Sequence, residues 1–289
     1  LDAFAVSNNL DVRGNEMMRV AIVLVSLFLS VAARTQTIHI QSLNNYVTGG
    51  AYSTDFKDAF SFNTNPACLG NMNTIYAGML AERKWLLKEL GGYAFSMAVP
   101  ILKSGMGLSL KQSGDINYHE QGLELAYGKN LGALEFGICF GYLHTKAAGY
   151  PGISFGSAGA GIRFHVSEKL MTGWELEIPV FSIQTKTNRE KSPQIFKMGF
   201  GYEQTPELFI SIQIEKSSGL PLNVISTIDY RYQDQFDFSF GVNSIGGALY
   251  FKSGWKKNGL CIQLYTLYES FPGFSPGIAF LWENKKRKG

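Results

Sequence analysis

Apolar and polar residues alternate with a period of two along most of the chain. In the stretch 134–142, Leu134, Phe136, Ile138, Phe140 and Tyr142 fall on one face, and Glu135, Gly137, Cys139 and Gly141 on the other. Leu208, Ile210, Ile212 and Ile214 likewise share a face, and Phe236, Phe238, Phe240 and Val242 oppose Asp237, Ser239, Gly241 and Asn243. Segments 174–178 and 196–203 repeat the rule. Successive strand residues point to opposite sides, whereas a helix would repeat at 3.6, so this pattern predicts strands. They fall near 74–84, 92–101, 105–113, 119–129, 133–144, 155–166, 170–181 and 195–204, then 207–216, 222–232, 235–243, 247–256, 259–269 and 274–283. That is fourteen, an even number, each of a length close to the ~9–11 residues a tilted strand needs to cross a bilayer.

The links between them add a second regularity. Tight turns at Asn130–Gly132, Ser167–Lys169, Thr205–Pro206, Asp234 and Lys257–Asn258 interleave with longer links at His144–Ser154, Ser182–Gln194, Ser217–Pro221 and Ser270–Gly273. Strict alternation of short and long links is expected of a transmembrane barrel with short periplasmic turns and longer outer loops. Aromatic residues mark many strand ends: Tyr127, Tyr142, Trp174, Tyr202, Tyr230, Tyr232, Trp255, Tyr268 and Trp282. Such residues settle at the membrane–water interface. A secreted β-sandwich also alternates, but its outer face would carry more Lys and Glu than these strands do. The fold class read here is all-β: a transmembrane, antiparallel, up-and-down barrel of about fourteen strands in the bacterial outer membrane.

Composition narrows the picture. The 289 residues are 45% hydrophobic and 17% charged, with 32 Gly and a net charge of +3. Disorder is excluded by this apolar content, a disulfide scaffold by three cysteines, and a basic nucleic-acid surface by the near balance of charge. Met17–Gln36 has a charged start, an apolar run over 20–33 and small residues, as a secretory signal peptide does, with cleavage expected within 33–37. Leu1–Glu16 then reads as an upstream extension, 37–73 as an N-terminal plug or periplasmic segment, 74–283 as the barrel and 284–289 as a basic periplasmic tail.

If the apolar face meets lipid, the opposite face lines a lumen. It would hold Lys111, Glu124, Glu135, Arg163, His165, Glu175 and Glu177 on the earlier strands, and Lys197, Glu203, Gln213, Glu215, Asp229, Arg231 and Asp237 on the later ones. Both signs are mixed. A selective channel lines its pore with one sign, so this set reads as paired charges in a filled interior, interspersed with inward Gly and Ser. A fourteen-stranded barrel is wide enough to need a plug or leave a hole, and the polar, irregular stretch before the first strand is the candidate for it. Cys139 lies on the polar face, Cys261 in mid-strand and Cys68 in the plug segment, and a pair among the three stays open.

Catalytic and metal chemistry find little footing. His39, His119, His144 and His165 lie in unrelated segments without ligand spacing, and there is no Gly-x-Ser-x-Gly elbow or phosphate loop. Asp115 with His119 and Glu120 is the one tight polar cluster, expected at an outer loop. No catalytic residue, metal or cofactor is assigned.

Asn65-Pro66-Ala67, followed by Leu69-Gly70 and placed between a signal peptide and the first strand, resembles the plug element of FadL-like barrels. Gly105–Asp115 and Glu124–Lys129 are similar to the Bacteroidota PorV/PorQ branch of that superfamily, associated with type IX secretion, and PorP/SprF is a related family. The resemblance implies fourteen strands and an N-terminal segment in the lumen, and the lack of a catalytic motif adds the expectation of no enzyme activity. The links here are shorter than the loops with which such transporters and shuttle barrels hold cargo. The expected role is therefore an accessory or scaffold subunit beside a larger outer-membrane protein complex, set in lipid. The alternative is passive FadL-like transport of small hydrophobic molecules, which calls for an apolar pocket at the plug and a lateral gap in the wall.

Overall fold

The computed structural model describes residues 46–183 and 194–284, all of them within the unit Gln36–Gly289. The signal peptide, the upstream extension, residues 285–289 of the basic tail 284–289 and most of the link 184–194 lie outside the described residues. Fourteen strands follow one another: β1 (Tyr76–Arg83), β2 (Gly91–Ile101), β3 (Ser104–Gly114), β4 (Tyr118–Asn130), β5 (Leu134–Ala147), β6 (Ile153–His165) and β7 (Leu170–Ile183). The second half comprises β8 (Ile195–Glu203), β9 (Leu208–Ser217), β10 (Asn223–Tyr232), β11 (Phe236–Asn243), β12 (Ala248–Lys257), β13 (Leu260–Tyr268) and β14 (Phe274–Glu283). Each pairs antiparallel with its sequence neighbours, and β1 closes on β14 with Tyr76 opposite Glu283. Closure leaves no strand edge unpaired, which a bilayer without hydrogen-bonding solvent demands.

The alternation now has a physical meaning. Outward side chains stay accessible around the wall, for example Phe140 at 59%, Phe240 at 50% and Leu264 at 61%, whereas Ser96, Ser109, Arg163 and Ser275 on the other face are sealed at 0%. Apolar surface faces lipid and polar surface faces the interior. Seven of the nine boundary aromatics sit near the end of the barrel where β1 starts and β14 stops (the near end); Tyr142 and Tyr268 lie toward the far end.

Three features differ from the sequence expectation. First, β4 to β7 run to 13 or 14 residues, because their alternation continues past the thickness of the membrane. Second, the links do not alternate strictly. The far-end link Asp115–Asn117 is as tight as any near-end turn because the Asp115 carboxylate accepts N–H bonds from Asn117 (2.9 Å) and Tyr118 (3.0 Å), an Asx turn that reverses the chain at once. His119 and Glu120 therefore belong to β4 rather than to an outer loop, and Glu120 is buried, hydrogen-bonded by the Tyr118 hydroxyl. Third, the stretch before β1 is not a polar loop. Its described part, Tyr46–Asn73, buries Ala51, Tyr52, Phe60, Phe62, Ala67, Cys68 and Leu69 inside the barrel. Short 3-10 turns at Gly50–Tyr52, Ser61–Asn63 and Pro66–Asn71 fold it into the space available.

Two turns show how local chemistry sets the register. Asn258 and Gly259 take φ of 52° and 83°, the left-handed pair of a two-residue hairpin. In β7, Pro179 has no N–H to give the ladder, and the register against β6 slips there by one residue, with Gly156 opposite Phe181 and Ser157 opposite Pro179.

Candidate functional site

The interior of the barrel is the candidate site, and the segment Tyr46–Asn73 divides it. In the near half this segment is held against β3–β9 by polar anchors. Arg163 and Glu135 form an ion pair buried to 0% and 1% exposure. The same guanidinium donates to the carbonyls of Ala51 (2.9 Å) and Ser53 (3.0 Å). Glu203 accepts from the backbone N–H groups of Thr54 (2.7 Å) and Asp55 (3.1 Å) and from the Ser53 hydroxyl. Asn65 caps the 3-10 turn by accepting from Ala67 N–H at 3.0 Å, and its amide donates to the carbonyls of Ile162 (3.3 Å) and Trp174 (3.2 Å) on the wall. Pro66 at the first position of that turn has no N–H to leave unpaired. Asn65, Pro66 and Ala67 are all buried in this contact.

Glycines make the contact possible. A methyl group at Gly128, Gly137 or Gly199 would stand 2.0–2.7 Å from atoms of the inner segment, closer than any real side chain approaches. Phe62, Cys68, Leu69 and Met72 pack with Ala98, Ala126 and Cys139 of the wall, and Tyr46, Ala59 and Phe60 with Leu80, Tyr250, Tyr265 and Leu281. Burying a side chain of Phe or Leu size stabilises by about 1.5–3 kcal/mol. All three cysteines are buried and free.

The far half is open. A cavity of about 500 Å³ lies above the inner segment. Its floor includes Tyr46, Tyr52, Phe60 and Asn63, and its walls include Lys111, Glu124, Glu177, Lys197, Gln213 and Glu215. Lys197 contacts Glu175 at 2.8 Å and donates to the Asn63 carbonyl at 3.3 Å, while Lys111 stands 3.7 Å from Glu124. Toward the near end, β10–β12 contribute Arg231–Asp237 at 3.4 Å and Lys252–Asp229 at 3.7 Å. His165 Nε2 lies 3.9 Å from the far oxygen of Glu135.

All the lumen candidates read from the sequence thus share the inward face in the observed register. They form separate pairs around the wall rather than one catalytic constellation. The wall is closed by continuous pairing through all fourteen strands, so a lateral gap is not found among the described residues. Apolar concavity lies elsewhere than expected: a groove of about 650 Å³ on the lipid side of the wall, lined by Met79, Tyr93, Leu110, Leu123 and Phe280. Sequence reasoning missed Lys252, Lys256, Gln263 and Glu283 as interior groups. Lys252 and Lys256 share parity with Gly254 in β12, so their direction was readable once that strand was aligned. It also missed Tyr46, Tyr52, Lys57 and Asp58, because the inner segment has no periodicity to read.

Burial pushes the Lys57 ammonium down to about 8, with the nearby Arg163 charge adding to the effect, and pushes the Cys68 thiol up to about 11. The hydroxyls of Tyr46 and Tyr52 are pushed up by the same desolvation. Among the described residues no group of His, Cys, Asp and Glu has the makings of a metal site.

The sequence matches no protein-family model and no curated protein. Solved structures do resemble the fold. The Pseudomonas putida toluene transporter TodX superposes with a TM-score of 0.59 at 8% identity, covering 87% of this chain and 99% of that one. The monoaromatic hydrocarbon channel CymD gives 0.54 at 10% identity over 80% and 93% of the two chains, and the Ralstonia pickettii toluene transporter TbuX 0.52 at 10% over 79% and 93%. At such identities the likeness concerns architecture: the chain shares with these proteins the fold of a closed fourteen-stranded barrel of the bacterial outer membrane.

Proposed function

We propose that this barrel is a passive, non-enzymatic transporter of small molecules across the outer membrane, with the inner segment as its plug. The carrying observation is the cavity of about 500 Å³ between the far mouth and that segment, a volume within the ~300–1,000 Å³ typical of small-molecule sites. The far end, which carries the longer links, faces the exterior, and the near end the periplasm. Similarity of fold to toluene and monoaromatic hydrocarbon transporters supports the transport reading. The lining modifies it, since aromatic Tyr46, Tyr52, Phe60 and Phe155 stand beside Lys111, Glu124, Glu177, Lys197 and Glu215. Such a wall suits an amphipathic solute with a ring or short alkyl body and a polar head.

The purified barrel in liposomes should pass phenylalanine, a zwitterion that crosses lipid slowly, well above protein-free vesicles. Flux equal to that of empty vesicles for phenylalanine and for a small neutral sugar alike refutes the transport reading. The accessory reading, a scaffold beside a larger complex such as a type IX secretion assembly, draws its support from the shortness of far-end links such as Asp115–Asn117 and Ala148–Gly152. Co-purification of a stoichiometric partner from gently solubilised outer membrane would favour it.

A further inference from the structure

The lumen is asymmetric around its circumference, and the asymmetry points to a route. In the near half, along β3–β8, the wall and the inner segment are in close contact. Methyl groups at Gly105, Gly161 and Gly201 would lie 2.6, 2.3 and 2.0 Å from inner-segment atoms. Along β11, β12 and β14 the inward glycines are bounded differently. Gly241, Gly254 and Gly277 face Ser226, Gln263 and Tyr265, all of them residues of the wall, and none faces the inner segment. Toward the near end on this side the inward positions include Asp229, Arg231, Lys252 and Gln263, and a second cavity, of about 80 Å³, lies there beside Asp58. Ser239, between Asp229 and Lys252 in the register and 2% exposed, has a hydroxyl without a hydrogen-bond partner among the described residues.

Tyr46 connects the linings of the two cavities. It lines the large one, while its hydroxyl oxygen lies 2.8 Å from both Asp58 Oδ2 and Gln263 Oε1, which line the small one. Its ring packs on Phe60 (5.4 Å) and edge-on to Tyr265 (5.3 Å), and the Lys252 ammonium stands 5.1 Å from the ring centroid. The charges around the small cavity balance: Asp58, Asp229, Asp237 and Glu283 against Lys57, Arg231, Lys252 and Lys256. A lining of one sign would exclude solutes of that sign; a balanced one admits groups that carry both signs or neither.

We propose that solute passes from the large cavity to the periplasm along β10–β14, with Tyr46 as the gate, and that the route favours small zwitterionic or neutral polar head groups over net-charged ones. This rests on the transport reading above and adds to it a path, a gate and a selectivity.

The test uses the full barrel in liposomes, with Cys68→Ala and Cys139→Ala leaving only Cys261, whose side chain lines the small cavity. Phenylalanine flux is measured before and after a methanethiosulfonate reagent attaches a bulky group to Cys261, and again after reduction. The expected result is loss of flux on labelling and its return on reduction. Separately, Tyr46→Phe removes the hydroxyl tether and keeps the ring, and should raise flux about tenfold, the effect of one lost hydrogen bond to a charged group. If no version passes phenylalanine or sugar, the transport reading fails. If flux is present but unchanged by labelled Cys261, or Cys261 resists labelling in the flux-active protein, the route is overturned while transport stands. Flux unchanged by Tyr46→Phe overturns the gate, and equal flux of phenylalanine and a net-charged analogue of its size overturns the selectivity.

Discussion

Arg163 is the residue on which the inner segment most depends, and Arg163→Met is the sharpest test of that. The guanidinium is fully buried and meets three acceptors at once: the Glu135 carboxylate and the carbonyls of Ala51 and Ser53. Methionine fills similar volume without charge or donors. It leaves Glu135, itself 1% exposed, as a buried carboxylate that has lost its guanidinium partner, with the His165 imidazole 3.9 Å from its other oxygen. Removing one partner of a buried ion pair costs about 3–5 kcal/mol, and each hydrogen bond to a charged group contributes about 1.5–3 kcal/mol. These terms share one side chain and do not add, so a loss of about 3–5 kcal/mol is expected, or roughly two to four orders of magnitude in the opening equilibrium of the segment. Protease cleavage near Asp55–Lys57 in the folded barrel reads that equilibrium, and denaturant unfolding in detergent reads its global share. Adding Glu135→Met removes the stranded charge, and the double variant should resist cleavage better than Arg163→Met alone. Cleavage of Arg163→Met within about 1 kcal/mol of the parent, less than the cost of a single lost charged hydrogen bond, or a double variant weaker than the single, would refute the anchoring role.

Three other outcomes are expected. Asn65→Ala loses a cap and two wall contacts and should destabilise the segment by about 1–2 kcal/mol; Asn65→Asp, which sets an anion against two carbonyls, should be worse, and equal cleavage rates would contradict this. Phe240→Arg, mid-strand on the lipid face, should cost about 2–4 kcal/mol in bilayer unfolding, against about 0–1 kcal/mol for Phe236→Arg at the strand's end; equal costs would refute the belt. The Lys57 amine, whose ammonium donates to the Asn71 carbonyl at 2.6 Å, should reach half-maximal acylation near pH 8 instead of the ~10.4 of an ordinary lysine. The lowered value means the folded state binds fewer protons than the unfolded chain between pH about 8 and about 10.4, so stability rises with pH across that window. A midpoint above pH 10 for acylation, mapped by peptide mass, would refute the burial of this amine, because it would match an ordinary lysine.

What the sequence disclosed followed from what was periodic. Fourteen strands and their inward face were legible because a lipid phase on one side and a lumen on the other force a strict two-residue rhythm, and Glu135 opposite Arg163 or Glu175 opposite Lys197 needs only that rhythm plus tight turns. Strand ends were less legible, because water tolerates a strand that continues beyond the membrane, as β5 does to Ala147. The inner segment was legible at Asn65-Pro66, a capped turn written in residue types, and almost nowhere else. Its grip on the wall passes through backbone carbonyls of Ala51, Ser53 and Ala59, and a carbonyl carries no residue signature. Its partners also lie far away in sequence, so its apolar residues looked scattered although they fill one space.

The glycines carry the same division into function. In the near half, inward glycines such as Gly128, Gly137, Gly199 and Gly201 are empty space into which the inner segment fits, so there small residues mean closure. On β10–β14, beside the contact of Tyr46, Ala59 and Phe60 with Tyr250, Tyr265 and Leu281, part of the near-end space is kept by polar side chains, with Arg231 paired to Asp237 and Lys252 to Asp229. Packing of the first kind is rigid, since a methyl group is enough to break it. Pairing of the second kind can rearrange, because a long side chain turns about several bonds and exchanges one polar partner for another at modest cost. On the proposed route, an inner segment held fast on one arc and yielding on the other would admit a solute without leaving the barrel. The anchor at Arg163 and the gate at Tyr46 should then be energetically separable: Arg163→Met should loosen the whole segment, whereas Tyr46→Phe should change flux and leave protease resistance as it was.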